Sequence, residues 1–178
     1  MCVFASMYRS HQTSDVNAEF LLPPGIDVRP LEPSDRDGVA ALFKRLSPES
    51  RRHRFLGPKP RLSERELTYL TTVDHRWHEA LVAVDRRDGS ILGVARYVCI
   101  TDRPDAADGA IAVADEHQGR GIGTVLVRCL IARARVNGFS VLTATTLWEN
   151  QRARALLRGV GFQGRGSSGA MIELELEL

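Results

Sequence analysis

The sequence predicts a mixed α/β sheet covered by helices, and three observations predict it. Two strand-like runs, residues 80–85 and 91–100, flank Arg86-Arg87-Asp88-Gly89, a hairpin signal in which glycine takes the positive-φ position. Later in the chain, strand and helix patterns alternate, as they do where a crossover helix joins strands of one sheet. Between these regions, residues 111–124 join a β-branched run to a turn with glycines at 119, 121 and 123, then to a run of good helix formers. A chain of 178 residues can bury one sizeable core, so a single domain is expected.

The elements follow in order. Residues 1–24 show no periodicity and end at Pro23-Pro24-Gly25, so a flexible N-terminal tail is expected, followed by one domain over 25–178. Residues 26–31 alternate like a strand, with Arg29 facing away from Val28. Pro33-Ser34-Asp35 opens a helix with Ser34 as its N-cap and Val39, Leu42, Phe43 and Leu46 on its apolar face. Ser47-Pro48 starts a short helix through Phe55, because proline is tolerated at the first helical position. Gly57-Pro58-Lys59-Pro60 breaks it, and Ser63-Glu64-Arg65-Glu66 is a capping box for a helix over 64–72 that buries Leu67 and Leu70.

Residues 106–113 form the strand that feeds the glycine turn. A helix over 121–136 follows, with Ile122, Val125, Leu126, Cys129 and Leu130 inward and Arg128, Arg133 and Arg135 outward, closed by Asn137-Gly138. Residues 141–147 are a strand, 150–158 an arginine-rich helix closed by Gly159-Val160-Gly161, and 171–178 a last strand. That strand sets Glu173, Glu175 and Glu177 on one face and Leu174 and Leu176 on the other.

Composition excludes several classes. Hydrophobic residues at 43% and charged residues at 26% are ordinary for a globular protein, and a net charge of +2 is too small for a nucleic-acid surface. Lys44 and Lys59 are the only lysines, so the basic side chains are nearly all arginine, which suits bidentate phosphate contacts. Cys2, Cys99 and Cys129 lie far apart and form no zinc or disulfide framework. No run reaches transmembrane length, and residues 1–11 lack the apolar core of a signal peptide. A cytoplasmic protein without membrane or nucleic-acid partner is expected.

The glycine turn is where the chemistry concentrates. A helix N-terminus offers free N–H groups and partial positive charge, and glycines let a phosphate chain approach that backbone. A dinucleotide fingerprint would need glycine at the sixth position, but Thr124 or Leu126 stands there, and residues 141–147 hold no acid. A nucleoside-triphosphate loop would need lysine after the last glycine, where Thr124 stands.

The pattern that fits is Gln118-Gly119-Arg120-Gly121-Ile122-Gly123, which resembles the acetyl-CoA-binding motif of the GCN5-related N-acetyltransferases (GNAT). Trp148-Glu149-Asn150-Gln151-Arg152-Ala153-Arg154-Ala155-Leu156-Leu157, followed by Gly161-Phe162, resembles that family's second signature. The likeness covers residues 26–178. More narrowly, Leu46 to Arg51 with Arg54-Phe55, and Arg61 to Leu67, resemble the acetyltransferase domain of bacterial Pat-type protein lysine acetylases. Larger relatives carry a cyclic-nucleotide-binding domain, for which this length leaves no room, so no such regulation is expected within the chain.

The resemblance implies a GNAT fold, a sheet of about six to seven strands splayed between the fourth and fifth, with acetyl-CoA as acyl donor and no metal. It implies that Ile111, Ala112 and Val113 meet the pantetheine arm through their main chain, with an N–H near Val113 polarising the thioester carbonyl. The N–H groups of Gly119, Arg120, Gly121, Ile122, Gly123 and Thr124, after Gln118, would hold the pyrophosphate, and Asn150 would reach the cofactor arm. A carboxylate five residues before Val113 would serve as general base. Here it is Asp108, where relatives more often carry glutamate. The competing reading is that Asp108 belongs to a turn, Asp105-Ala106-Ala107-Asp108-Gly109.

Relatives place a tyrosine seven residues after the asparagine as general acid. Leu157 stands there, so none is assigned, and Tyr97 is a substitute more in keeping with core packing. His75 and His78 lack further ligands for a metal and read as loop surface. Cys99 and Cys129 read as small hydrophobes, and His117, Arg120, Arg152 and Arg154 as surface groups near the cofactor. Three functions compete: acetylation of a primary amine such as a protein lysine, acetylation of a small amine, and a CoA-binding regulatory module without catalysis. The acceptor amine is the expected partner, and the protein is expected as a monomer or homodimer.

Overall fold

The computed structural model describes residues 22–178. The tail over residues 1–21 lies outside the described residues. Leu22 packs against the main core, and Pro23 accepts the Ile26 N–H at 3.2 Å as the chain enters the sheet.

The Arg86–Gly89 turn, with Gly89 at φ +73°, joins β2 (His78–Asp85) to β3 (Ile91–Ile100). β1 (Ile26–Pro30) pairs antiparallel with β2, and β4 (Arg103–Val113) pairs antiparallel with β3. β5 (Val141–Leu147), β6 (Gln163–Ser168) and β7 (Met171–Glu177) complete a seven-stranded sheet in the order β1-β2-β3-β4-β5-β7-β6. Every neighbouring pair is antiparallel except β4 and β5.

Helices cover both faces. On one lie α1 (Arg36–Arg45), α2 (Pro48–Phe55) and α3 (Glu64–Thr71), with Leu31, Val39, Leu42 and Leu67 packed on Val82, Val84 and Val94. On the other, α4 (Ile122–Val136) buries Ile122, Val125, Leu126, Cys129 and Leu130 against Leu81, Ala95, Tyr97 and Leu142. Each such large apolar side chain contributes about 1.5–3 kcal/mol on burial. The short α5 (Gln151–Gly159) follows β5 and buries Leu157. Ser47 caps α2 by accepting the Ser50 N–H, and the Ser63–Glu66 capping box opens α3 as the sequence predicts.

Several expectations are corrected. Ser34 does not cap α1: residues 33–35 form a single 3₁₀ turn, and Asp35 takes the Glu32 N–H while two nitrogens of Arg29 grip its carboxylate at 2.7 Å. Leu70 is only half-buried. Asp105 to Gly109 is no turn, because those residues continue β4. Arg133 turns inward to the fully buried Glu79 at 2.8 Å, since an uncompensated carboxylate there would be costly. β6 was not legible, being exposed throughout and rich in glycine and serine. Among the described residues, no helix is long and apolar enough to cross a membrane.

A cleft where two parallel strands part

β4 and β5 pair only from Ala106 with Val141 to Gly109 with Ala144. Beyond that, residues 110–113 stay with β3 and residues 145–147 stay with β7, so the two strands diverge. The gap opens into a cleft of about 1060 Å³, bounded by both strands, the glycine turn, α2 and α5.

The phase of the β3–β4 ladder decides what this gap offers. Ala114 N–H bonds Leu92 C=O, and the register holds without shift from Gly93–Val113 to Cys99–Ala107. In an antiparallel pair the two main-chain groups of a residue point to the same side, alternating along the strand. Ala112 is therefore tied to Val94, whereas Ile111 and Val113 turn their N–H and C=O groups into the gap. Their side chains pack toward α4, with Ile111 Cδ1 and Val113 Cγ2 beside Gly123. Ala112 joins the opposite apolar cluster and contributes a small surface, not main-chain donors.

The turn that follows is built for an anion. Gly119 and Gly121 hold φ of +74° and +82°, and Gly121 is the N-cap of α4. The first turn of a helix leaves its N–H groups without intrahelical partners. Among the described residues, no acceptor meets the N–H groups from Gly119 to Thr124. The third glycine works differently, because a Cβ on Gly123 would stand 2.9 Å from Leu156 Cδ1 and 3.4 Å from Ile111 Cδ1. It lets α4, α5 and β4 meet. Thr124 lines the cleft, Ile122 buries its side chain and offers only its N–H, and the exposed Arg120 leans on His117 Nδ1 at 2.9 Å.

Gln118 braces the turn. Its Nε2 donates to Val113 C=O at 3.1 Å and Ser50 Oγ at 3.3 Å, and its Oε1 accepts from Arg152 at 3.0 Å. Asp115 adds bonds to the Ser47 N–H and to both Ser47 and Ser50 hydroxyls. The N-terminus of α2 is thus pinned to the end of β4. Its next turn reaches the end of β5, where Glu149 pairs with Arg52 and lies 3.5 Å from His53 Nε2. The Arg52 bond holds the Glu149 carboxyl below the usual range. Asn150 caps α5 through its Oδ1, which accepts Ala153 N–H at 3.1 Å, and it lines the cleft.

At the closed end sits Asp108, on the α2 side of the sheet beside Thr143, whose hydroxyl donates to it at 2.9 Å. Burial pushes its carboxyl above the usual range, opposed by the Thr143 bond and the charge of Arg54. Tyr97 is fully buried on the α4 face, its hydroxyl held by Arg76 C=O and Asn137, and burial pushes it up to about 12. It cannot serve the cleft. Leu157 is buried too. Arg154 stacks on Trp148, 4.3 Å from the ring, and His75 and His78 are engaged by Glu79 and Arg96. Among the described residues, no group of three His, Cys, Asp or Glu side chains could hold a metal ion.

The cleft gathers Ile111, Ala112, Val113, Gln118, Gly119, Gly121, Gly123, Thr124 and Asn150 on its wall, whereas Arg120, Ile122 and Asp108 do not line it. Sequence reasoning missed the contributions of His53, Arg54 and Glu149. The first two follow Ser50 at helical spacing, a signal that places them on one face of α2.

Open main-chain donors between parting strands, with an anion cradle at the wider end, define an acyltransferase that takes its acyl group from a CoA thioester. The family comparison agrees. Residues 42–162 match the Acetyltransferase (GNAT) family, to which the chain belongs; it is an acetyl-CoA-dependent N-acetyltransferase. It is 34% identical over 140 residues to Acetyltransferase PA5475 of Pseudomonas aeruginosa, covering 78% of this chain and 75% of that protein. It is 33% identical over 95 residues to Acetyltransferase Pat of Mycolicibacterium smegmatis, covering 53% of this chain and 28% of that protein. The GNAT domain of S. lividans PAT superposes with a TM-score of 0.81 at 28% identity, over 86% of this chain and 90% of that one. YncA of Salmonella typhimurium, solved with acetyl-CoA, shares the fold at 17% identity, with a TM-score of 0.71 over 86% of this chain and 94% of that one.

Proposed function

We propose that this enzyme moves the acetyl group of acetyl-CoA directly to a primary amine, the side chain of a protein lysine, with Asp108 as general base in a cytoplasmic setting. The carrying observation is the gap itself: Ile111 turns its N–H and C=O and Val113 its N–H into it, the Val113 C=O being taken by Gln118, and Asp108 stands on the last paired rungs before it opens. The N–H groups of residues 119–124 hold the pyrophosphate. Ile111 bonds the pantetheine arm, the Val113 N–H faces the thioester carbonyl, and Asn150 Nδ2 reaches the arm from the N-cap of α5. Gln118 serves indirectly by fixing the turn.

A lysine amine has a pKa near 10.4, so only about one in several thousand is neutral at pH 7. Asp108 receives the proton, through a water where the short aspartate does not reach. The amine nitrogen then attacks the thioester carbon, and the main-chain N–H at Val113 stabilises the developing oxyanion. The C–S bond breaks and the thiolate leaves. A thiol of pKa near 8.5 departs without full protonation, so Leu157 in place of an acid is tolerable. The resemblance of residues 46–55 and 61–67 to Pat-type protein lysine acetylases supports lysine as acceptor.

The test is purified enzyme with acetyl-CoA and a lysine-peptide library, following free thiol and acetyl-lysine together. Equal amounts of both products support direct transfer. Calorimetric binding of acetyl-CoA without thiol release on any peptide would sink lysine acetylation and favour a regulatory module.

A further inference from the structure

Arg54 stands apart from the other arginines of α2. Arg51 donates to the carbonyls of Phe43, Lys44 and Pro60, and Arg52 pairs with Glu149. Arg54 lines the cleft, yet among the described residues no acceptor receives its guanidinium, which lies 5.0 Å from the Phe55 ring and within the fields of Asp108 and Tyr69. Behind it, Arg96 is buried on β3 opposite Ala110, donating to Leu70 C=O at 2.6 Å and to His78 Nε2 at 3.1 Å. A guanidinium only donates, so His78 accepts there and remains neutral. The charge of Arg54 therefore acts on the Asp108 carboxylate, with buried Arg96 adding a second positive charge near Arg54. Glu149 is engaged by Arg52, and Glu49 sits more than one helical turn away along α2.

An unpaired guanidinium partly withdrawn from water favours a planar anion that it can bind through two parallel bonds. A polycation entering here would meet the positive charge of Arg54. Resting on the amine-acetylation reading, we infer that Arg54 is the acceptor-recognition residue, and that the acceptor carries a carboxylate beside its reactive amine. The guanidinium grips that carboxylate while the amine lies against Asp108. The carboxylate belongs either to an acidic side chain flanking a lysine in a peptide or to the α-carboxylate of a free amino acid.

Two matched pairs of acceptors test this at fixed acetyl-CoA: a lysine peptide with glutamate flanks against the same peptide with glutamine, and free lysine against 1,5-diaminopentane. The wild type should favour the carboxylate member of at least one pair by roughly tenfold or more in kcat/KM, as expected for charge-assisted bonds. Preference in the peptide pair alone names the side chain, and in the other pair alone the α-carboxylate. Arg54→Gln should erase the preference mainly through KM, and Arg54→Lys should keep part of it, with acetyl-CoA affinity measured by calorimetry as the check on folding. Equal use of both members by the wild type, or an equal loss on both in Arg54→Gln, overturns the inference while leaving acetyl transfer intact. Failure of every acceptor overturns the acetylation reading, and this inference falls with it.

Discussion

Thr143 Oγ1 donates a 2.9 Å hydrogen bond to Asp108 Oδ1 across the last paired rungs of β4 and β5. Burial raises the Asp108 carboxyl above the usual range, and this bond, with the charge of Arg54, pulls it back. On the proposed mechanism, Asp108→Asn removes the proton acceptor and should cut turnover about tenfold or more while leaving acetyl-CoA affinity unchanged. Thr143→Val tests the same group from the other side. Its bond favours the ionised form, so losing it raises the Asp108 pKa further. A base works only when deprotonated, so the acid limb of the kcat/KM profile should move to higher pH. An unmoved limb would remove Asp108 from the titration.

The two glycines at positive φ should respond unlike the third. Gly121→Ala places a Cβ in a left-handed residue at φ +82°, at a cost of about 1–2 kcal/mol, or a few degrees in Tm. It also tilts the first-turn N–H groups, so the KM for acetyl-CoA should rise. Gly123→Ala has ordinary backbone but brings its Cβ to 2.9 Å from Leu156 Cδ1, the end of a flexible side chain. That variant should shift α5 slightly and disturb acetyl-CoA binding less. Calorimetric titration of both variants checks the ranking.

What the sequence revealed follows from which forces act locally. The hairpin at Gly89, the Ser63 box and the apolar stripe of α4 are set by neighbours a few residues away, so spacing exposes them. The glycine turn was legible for the same reason. Arg133 was misread because its partner, Glu79, lies 54 residues earlier, and only the packing of α4 on β2 brings them together. Asp108 carries no local mark of its burial, since that comes from α2 and from Thr143. Gln118 resembled a cofactor ligand, but its amide is engaged by Ser50, Val113 and Arg152, two of which lie more than thirty residues away. β6 has neither alternation nor burial, and pairing with β7 alone holds it.

Asp35 should make the fold acid-sensitive. Burial raises its pKa, but the Arg29 bonds, the Glu32 N–H and the charge of Arg29 outweigh that and leave it lowered. A carboxylate with a lowered folded-state pKa contributes stability that is present above its unfolded value, near 3.8, and lost as pH falls through the folded one. Urea midpoints followed from about pH 6 to about pH 2.5 should therefore decline less steeply in Asp35→Asn than in the wild type. Parallel curves would show that Asp35 contributes nothing to acid unfolding.

Glu79 tests the far end of α4. Its carboxylate has no solvent exposure and is held by His75 Nδ1 at 2.6 Å, Arg133 Nε at 2.8 Å and the Ala80 N–H at 2.9 Å. Beside it, Asn137 donates to Tyr97 Oη and to the His75 carbonyl, so the C-terminus of α4 is tied to the start of β2. Arg133→Met leaves the buried carboxylate with His75 and the Ala80 N–H alone and should cost less than the ~3–5 kcal/mol of a fully stranded buried charge, but still more than about 1 kcal/mol. Replacing both with apolar side chains removes the stranded charge as well, so Glu79→Met with Arg133→Met should recover much of that loss. Acetyl-CoA affinity should hold in every variant that folds, because Arg133 lies twelve residues beyond Gly121, about 18 Å along the helix. Urea midpoints of the two single variants and the double variant close the cycle. Additive losses would mean that the two side chains act independently and that the pair does not fasten α4 to β2.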